Sequence, residues 1–328
     1  MCNKASNQLN ILNNDSTLTG ENSPVNLFVM KSDIFNLHFS GHETFALRYG
    51  WLNKAYNNFS LNEKDIEKQV VDLGVGKNMV NSIKYWAEIS GLVPLLDRDN
   101  NKQNYKTAIS EIFAKYDAYL ELNESTWLLH YFIQKNFTDL TFARWYFNFC
   151  NKQVFDKAEL IGDLVFWLET NGLKVPSLAT LQKDLDCFIL CYSKKISKKQ
   201  LNEDAFVSPL NELNLIYQVD SHKFKADLLE QKNLSVDIFL YCLTDFWKTN
   251  FPESPSLSVD MISTYPGSPG RLFRLNNASV DYFLNQCAVI DKCFNWTDTL
   301  GMRSLSCNDI THVDSSELLA KIYREYQK

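Results

Sequence analysis

The chain has 328 residues, of which 45% are hydrophobic and 13% are aromatic, and its formal net charge is −6. This length exceeds that of one average domain, and the apolar content is sufficient to fill two or three small cores. The negative net charge argues against a protein that coats nucleic acid along its whole surface, so any contact with nucleic acid must come from a local patch.

The N-terminal segment is rich in Asn and Ser and poor in large apolar side chains. Such a segment cannot offset the entropy lost on ordering, and we predict a flexible arm over residues 1–34. It has neither the basic start nor the apolar run of a signal peptide, and no stretch of the chain approaches the length of an apolar membrane span. We therefore expect a soluble, cytoplasmic protein without a membrane partner.

From residue 35 onward, apolar residues recur at helical spacing, and short extended runs separate the helices. The pattern predicts a mainly α fold with short β hairpins, built from winged-helix-like (helix-turn-helix) domains joined by helical segments. We expect a winged-helix-like DNA-binding domain over 35–122, a helical middle domain over 123–200 and a C-terminal α+β winged-helix-like domain over 201–328. A cluster of lysines between positions 194 and 199 indicates the second boundary.

The stretch FSGHETFALRYGWL, residues 39–52, places a histidine and a glutamate side by side before an apolar run. Ser40 and Glu43 have the Ser-x-x-Glu spacing of a capping box, which predicts that a helix starts here and explains Glu43 without catalysis. His42 would then lie close to the apolar face of that helix, where a single histidine is more often structural. A catalytic role for His42 and Glu43 remains the alternative interpretation.

A helix-turn-helix follows this stretch. A helix ending at Leu73, the turn Gly74-Val75-Gly76 and a second helix starting near Lys77 have the required order. Gly91 is expected to end the second helix. The extended runs on either side of the turn-forming DRDNN, residues 97–101, predict a hairpin at the position where a winged-helix domain carries its wing.

The second helix of this motif directs polar side chains outward, of types that can reach phosphates or base edges. Between residues 74 and 106, five basic and three acidic residues give a local charge of +2 within a chain of −6. We predict that double-stranded DNA contacts this patch, and that Ser82 and Tyr85 also face outward. The predicted DNA-binding residues are Lys77, Asn78, Asn81, Lys84, Arg98, Lys102 and Arg271. A winged helix used for protein contacts or dimerisation is the alternative.

Two other patterns are less specific. Asp220, Glu230 and Lys232 have the order of a metal-dependent nuclease core, but their segment is typical of a helix rather than of a strand. Cys187 and Cys191 are the closest approach to a metal-binding pair. Their four-residue spacing puts both on one apolar helical face, which favours packing in the core.

Four motifs together resemble a family encoded in prokaryotic phage-defence gene clusters: FSGHETFALRYGWL, DLGVGKNMVNSIKYWAEISGLV, DAYLELNESTWLLHYFI and SPGRLFRL. The chain is similar, over residues 35–326, to the SspB-like family of nicking components of single-strand DNA phosphorothioation (Ssp) systems. The family motif matches from Ser40 to Phe45, whereas Ala46 stands where a proline is expected.

The resemblance implies a magnesium-dependent DNA-nicking endonuclease that opens one strand, so that sulfur can replace a non-bridging phosphate oxygen. It also implies three partners: a cysteine desulfurase, an ATPase and a phosphosulfate-reductase-like sulfurtransferase of the same defence system. His42 and Glu43 would serve the Mg²⁺ ion or the attacking water. This pair supplies too few ligands for Mg²⁺, and the remaining ligands are unknown. The alternative is a non-catalytic DNA-recognition or scaffold subunit that positions the sulfurtransferase or the ATPase.

Overall fold

The computed structural model describes residues 34–58, 65–92, 107–193, 208–299 and 301–326. The predicted arm lies outside these ranges except for its last residue, and so does the hairpin predicted after Gly91. Within these ranges the chain is mainly helical with small sheets, which confirms that part of the predicted fold class. None of the helices described combines the length and the apolar character needed to cross a bilayer.

The helices pack around a core rich in aromatic side chains. They are α1 (Trp51–Asn58), α2 (Ile66–Leu73), α3 (Lys77–Ile89), α4 (Ala108–Glu111), α5 (Asn123–Gln134), α6 (Phe142–Phe149), α7 (Lys157–Thr170), α8 (Leu178–Tyr192), α9 (Val236–Asn250), α10 (Val259–Thr264), α11 (Pro269–Leu272), α12 (Asn277–Ile290) and α13 (Ser315–Ile322). Short single turns of helix connect several of them.

The strands are short. They are β1 (Asn36–Leu37), β2 (Asp139–Leu140), β3 (Val154–Asp156), β4 (Tyr217–Gln218), β5 (Lys223–Lys225), β6 (Ser256–Ser258), β7 (Phe294–Thr299) and β8 (Met302–Cys307). β1 pairs with β2 in parallel, whereas the two three-stranded sheets are antiparallel, with the orders β3-β5-β4 and β6-β8-β7.

The predicted pair of helices around Gly74 is present as α2 and α3. Asp65 caps α2 by accepting hydrogen bonds from two backbone N–H groups of its first turn, and Gly74 ends it with a φ of 61°. Glycine adopts this left-handed conformation without strain. The buried residues of α3 are Val80, Ser82, Ile83, Trp86 and Ala87. The outward position predicted for Ser82 is therefore wrong, because Ser82 lies one turn before Trp86 on the inner face.

The helix predicted to start at Ser40 and Glu43 is also wrong. Ser40, Glu43 and Thr44 have φ angles of 63°, 48° and 69°. Left-handed residues cannot continue a right-handed helix. The Glu43 N–H donates to the Ser40 carbonyl oxygen (3.4 Å) in a turn, rather than to a capping side chain. The first helix, α1, begins only at Trp51.

One order of elements occurs twice in the second half of the chain. The first unit contains α6, β3, α7, α8 and the hairpin β4–β5, and the second contains α9, β6, α10, α12 and the hairpin β7–β8. In each unit the first strand pairs with the last strand. Two helices followed by a hairpin form the order on which the winged-helix interpretation rests, and that interpretation stays a prediction. The pairing of β3 with β5 joins residues on both sides of the boundary predicted at residue 200.

Arg144 of α6 fixes the end of α3 against the core. Its buried guanidinium donates to the backbone carbonyl oxygens of Ile133 (2.6 Å), Asp139 (2.8 Å) and Ile89 (3.1 Å). Desolvation lowers the pKa of Arg144, but these bonds satisfy donors that burial would otherwise leave unpaired. Because the three acceptors lie in α5, β2 and α3, one side chain holds α3 and the β1–β2 pair together.

The helix predicted around Glu230 is absent. After β5 the chain runs without helix until Val236, and Leu229 forms a bridge to Leu275. Asp220 accepts hydrogen bonds from the backbone N–H groups of the β4–β5 turn (2.8 Å to His222 and 2.8 Å to Lys223). Pairing with a distant segment has overridden the local preference for helix, and Asp220 has a turn-forming role.

Candidate functional site

His42 is buried between the turn that carries it and α8. Its Nε2 hydrogen-bonds the carboxylate of Asp184 on α8, and the two side chains are only 6% and 4% exposed. Its Nδ1 accepts a hydrogen bond from the backbone N–H of Thr44 (3.0 Å). Since Nδ1 is an acceptor, Nε2 carries the proton and donates to Asp184. Both ring nitrogens of His42 are therefore engaged.

Asp184 also holds the backbone of the turn. The N–H of Ser40 donates to both of its carboxylate oxygens, at 2.9 and 3.1 Å. The carbonyl oxygen of Phe45 accepts from the indole N–H of Trp86 on α3 (3.1 Å) and from the thiol of Cys187 on α8 (3.4 Å). The motif is thus an irregular turn that is hydrogen-bonded to two helices. These bonds stabilise the left-handed residues of the turn.

The ring of Tyr85 packs against the buried histidine and against the turn. Its ring lies edge-on to the imidazole of His42, with ring centroids 5.9 Å apart. A Cβ added at Gly41 would lie 2.5 Å from Cδ2 of Tyr85, so only glycine permits this contact. Desolvation raises the pKa of Tyr85 far above its ordinary value, which keeps the phenol neutral. The outward position predicted for Tyr85 holds only in part, since its ring packs against the turn.

Glu43 points away from this buried pair. The residue is exposed, and its Oε1 lies 3.4 Å from Nδ2 of Asn81 on α3. The adjacent residues His42 and Glu43 consequently face opposite environments, one in the core and one in solvent. Glu43 is the member of the pair that a ligand can reach.

An open cleft of about 360 Å³ lies between the turn and α3. One wall follows β1 and consists of His38, Phe39 and Gly41, while the other is the face of α3 that carries Asn81, Lys84, Tyr85 and Glu88. Desolvation raises the pKa of Glu88, and the positive charge of Lys84 and that of His38 act against this shift. The cleft is polar, because α3 contributes an amide, an ammonium group and a carboxylate, from Asn81, Lys84 and Glu88, within two helical turns.

The structure brings together some of the predicted DNA-binding residues. Lys77 and Asn78 are exposed on the first turn of α3, and Asn81 and Lys84 follow on its cleft side. Arg98 and Lys102 lie outside the described residues.

Arg271 belongs to a different part of the molecule. Its guanidinium donates to the carbonyl oxygen of Thr264 (3.3 Å) and to Oδ1 of Asn151 (3.2 Å). Desolvation lowers its pKa to about 10. It does not line the cleft, and any DNA contact that it makes is separate from the contact of α3.

A site for Mg²⁺ would require several oxygen ligands close together. The described residues contain no group of three or more His, Cys, Asp or Glu side chains positioned to hold a metal ion. Cys187 and Cys191 belong to the buried face of α8, as their spacing predicts. The described part of the chain therefore offers no ligand set that fits Mg²⁺, which favours oxygen ligands in an octahedron.

Sequence reasoning missed three residues that shape this region. Asp184 is separated from His42 by 142 positions, and Asp139 lies 103 positions from Asn36, its partner on β1. Arg144 is hidden within an aromatic helix. The one available signal was the charge itself: Asp184 and Arg144 interrupt apolar helical faces, and a buried charge requires a partner.

Two solved structures are similar to this fold, a "Magnesium ion-bound SspB crystal structure" and an "SspB crystal structure". Each has a TM-score of 0.77 and 27% sequence identity to this chain. The first match covers 89% of this chain and 90% of the solved chain, and the second covers 90% and 91%. No curated protein matches the chain at a significant level.

These matches confirm the resemblance to SspB that the motifs indicated. Residues 39–323, which begin at the FSGHETF motif and include both units of the second half, match the family described as "Protein of unknown function (DUF4007)". The chain belongs to this family.

Proposed function

We propose that this protein is the DNA-binding component of an Ssp phosphorothioation system, and that it nicks one strand of double-stranded DNA in a magnesium-dependent reaction. The likeness to SspB supports its role in the Ssp system. The opened strand would then be available for sulfur to replace a non-bridging phosphate oxygen. The proposed DNA binding and nicking are argued from the cleft between the turn and α3.

One observation carries the proposal: two stretches that were selected for different reasons meet in the same cleft. Asn81 and Lys84 were predicted to contact DNA, and Glu43 was expected, from the family resemblance, to serve the Mg²⁺ ion or the attacking water. Nδ2 of Asn81 lies 3.4 Å from Oε1 of Glu43. A phosphate bound by α3 would therefore lie next to an exposed carboxylate.

We infer that α3 is the element that enters the DNA groove. In helix-turn-helix proteins the first residues of the recognition helix contact base edges, and Lys77 and Asn78 occupy that position here. Lys84 would neutralise a phosphate beside the cleft. Arg98 and Lys102 would extend this contact from the predicted wing, and Arg271 would make a separate contact.

The two residues of the His-Glu pair would have different tasks. His42 holds the turn through Asp184, so we assign it a positioning role. Glu43 presents an exposed carboxylate next to Asn81 of the cleft wall, where it can orient water. The sequence-based hypothesis that His42 itself acts on the ion or water stays a prediction.

Mg²⁺ is the proposed cofactor because one of the SspB structures contains it. A bound Mg²⁺ neutralises charge on the phosphate and makes water a better nucleophile. Since the described residues form no ligand set for it, no residue is assigned to the ion.

The proposed partners are those implied by the Ssp system: the cysteine desulfurase, the ATPase and the phosphosulfate-reductase-like sulfurtransferase. A nick supplies a flexible strand end, which gives a sulfurtransferase access to the phosphate. The likeness to SspB supports this set of partners.

A non-catalytic DNA-recognition or scaffold subunit is the second candidate. It is favoured by one observation, namely that both ring nitrogens of His42 are engaged within the fold. In this case the same cleft would bind DNA and present it to the sulfurtransferase or ATPase.

The deciding experiment incubates supercoiled plasmid with the purified protein, with Mg²⁺ and with EDTA, and measures the conversion to the open circle. DNA binding is measured in parallel on a labelled duplex. The proposal expects nicking with Mg²⁺ only, and loss of nicking without loss of binding in Glu43→Gln. Binding without nicking under all conditions would select the scaffold alternative, and absence of binding would reject both.

A further inference from the structure

We propose that His38, supported by Asp139, is the proton-transfer residue of the cleft. This inference rests on the proposed nicking function and identifies the group that activates the attacking water. His38 follows β1 directly and lies four residues before the buried His42. No motif of the sequence pointed to it.

The imidazole of His38 is accessible and has an acidic partner. Its side chain is 50% exposed and lines the cleft. Its Nε2 lies 3.7 Å from Oδ1 of Asp139 on β2, the strand that pairs with β1. Because the carboxylate lies beside Nε2, we assign the contact with a molecule in the cleft to Nδ1.

Asp139 is held firmly in this position. Asn36 of β1 donates to its Oδ1 (3.0 Å), and Asn136 donates to its Oδ2 (2.6 Å). The register of the parallel strands places Asn36 directly beside Asp139. The carboxylate is thus fixed 3.7 Å from Nε2 of His38, beyond hydrogen-bond distance but close enough for an ionic contact.

The second histidine of the region cannot perform this task as the turn stands. His42 donates from Nε2 to Asp184 and accepts from Thr44 at Nδ1, and its side chain is 6% exposed. Within the described residues neither ring nitrogen of His38 makes a hydrogen bond, since Nε2 lies 3.7 Å from Asp139, and the side chain opens onto the cleft. A proton can therefore be exchanged with bound water at His38 without breaking the fold.

The charges that face His38 come from two elements. They are Asp139 on β2, and Glu88 and Lys84 on α3, of which the two on α3 line the cleft together with His38. Lys84 is also the group that would bind the phosphate.

The proposed step is the hydrolysis of one phosphodiester bond. The oxygen of a water molecule forms a bond to phosphorus while its proton passes to Nδ1 of His38. The bond from phosphorus to one sugar oxygen breaks, and this oxygen leaves with the bonding electron pair and takes a proton from solvent. The products are one phosphomonoester end and one hydroxyl end, and the proton on His38 returns to solvent.

The test compares plasmid nicking by wild type, His38→Gln and His312→Gln with Mg²⁺ at a series of pH values. His312 is the matched control because it also pairs with an aspartate, with Nδ1 2.6 Å from Oδ2 of Asp309, and it does not line the cleft. We expect His38→Gln to lower the nicking rate about 100-fold or more and to remove the rise of rate with pH on the acid side. His312→Gln should retain the wild-type rate and profile.

A second measurement separates chemistry from folding. The exposed side chain of His38 leaves room in the cleft for a small molecule, so added imidazole should restore part of the activity of His38→Ala. A wild-type rate and pH profile in folded His38→Gln would overturn the inference while leaving nicking intact. Failure of the wild type itself to nick would instead reject the proposed function. Equal loss of DNA affinity and rate, without rescue by imidazole, would make His38 a binding residue and also overturn the inference.

Discussion

Two histidine–aspartate pairs lie beside Tyr85, and they differ in burial and in hydrogen bonding. In His42–Asp184 both side chains are less than a tenth exposed, at 6% and 4%, whereas His38 is 50% exposed and Asp139 18%. In the buried pair each ring nitrogen has a partner, and the carboxylate also holds backbone N–H groups. Accessibility, rather than residue type or a motif, therefore decides which of the two histidines a molecule in the cleft can reach.

The largest effect is expected from His42→Ala. The substitution leaves the Asp184 carboxylate buried without its imidazole donor, and we expect a loss of about 3–5 kcal/mol in the free energy of unfolding. Urea denaturation followed by tryptophan fluorescence measures it. His38→Ala is the control from the open pair and should cost less than about 1 kcal/mol. Equal stability of the two variants would remove the distinction between the pairs.

Glu43→Gln should have its effect on activity rather than on stability. The carboxylate is exposed, and its contact with Asn81 at 3.4 Å is one that glutamine can retain. We expect nicking to fall about 100-fold, because the carboxylate that orients the attacking water is lost, with the melting temperature close to wild type. Wild-type nicking by this variant would leave the motif as a structural turn and His38 as the remaining reactive group.

Gly41→Ala tests the close packing of Tyr85 against the turn, between the buried and the open histidine–aspartate pair. The new Cβ would lie 2.5 Å from the Tyr85 ring, and we expect a loss of about 1–3 kcal/mol as the ring or the turn shifts. Gly162→Ala in α7 is the matched control, because nothing lies within 4 Å of its added Cβ. In a helix interior that change should stabilise by about 0.5–1 kcal/mol. Thermal unfolding of both variants decides whether the close approach of Gly41 matters.

The smallest effect is expected for Lys77→Ala combined with Lys84→Ala. Each lysine that neutralises a phosphate contributes about 0.9 to the salt slope, so the slope should fall by about 2. Affinity for a duplex should fall about tenfold or more at low salt. Lys115→Ala is the control, since Lys115 pairs with Glu111 on α4, outside the cleft. An unchanged slope in a folded double variant would move the DNA contact away from α3.

The sequence predicted α2 and α3 well because their signals are local. Gly74 permits the left-handed end of α2, and the periodic apolar residues of α3 define its buried face. Each of these signals depends only on residues that are close together in the sequence. Ser82 was misassigned because a small polar residue carries no hydrophobic signal, although it lies on the buried face.

The helix start at Ser40 was misjudged for the opposite reason. Ser-x-x-Glu is a local capping signal, but the backbone of Ser40 and the ring of His42 are bonded to Asp184 on α8. These bonds stabilise left-handed residues that a helix would exclude. A partner that lies 144 positions away in the chain cannot be read from local spacing.

By itself, the sequence determined the mainly helical class, the helix pair α2–α3, the basic side chains on α3 and the likeness to the SspB-like family. These follow from periodicity, glycine stereochemistry and motif identity, which are properties of neighbouring residues. Only the tertiary structure decided that His42 is enclosed and that His38 and Glu43 are accessible. The physical reason is that burial and hydrogen-bond partners depend on Asp184 and Asp139, which folding brings to the turn from distant segments.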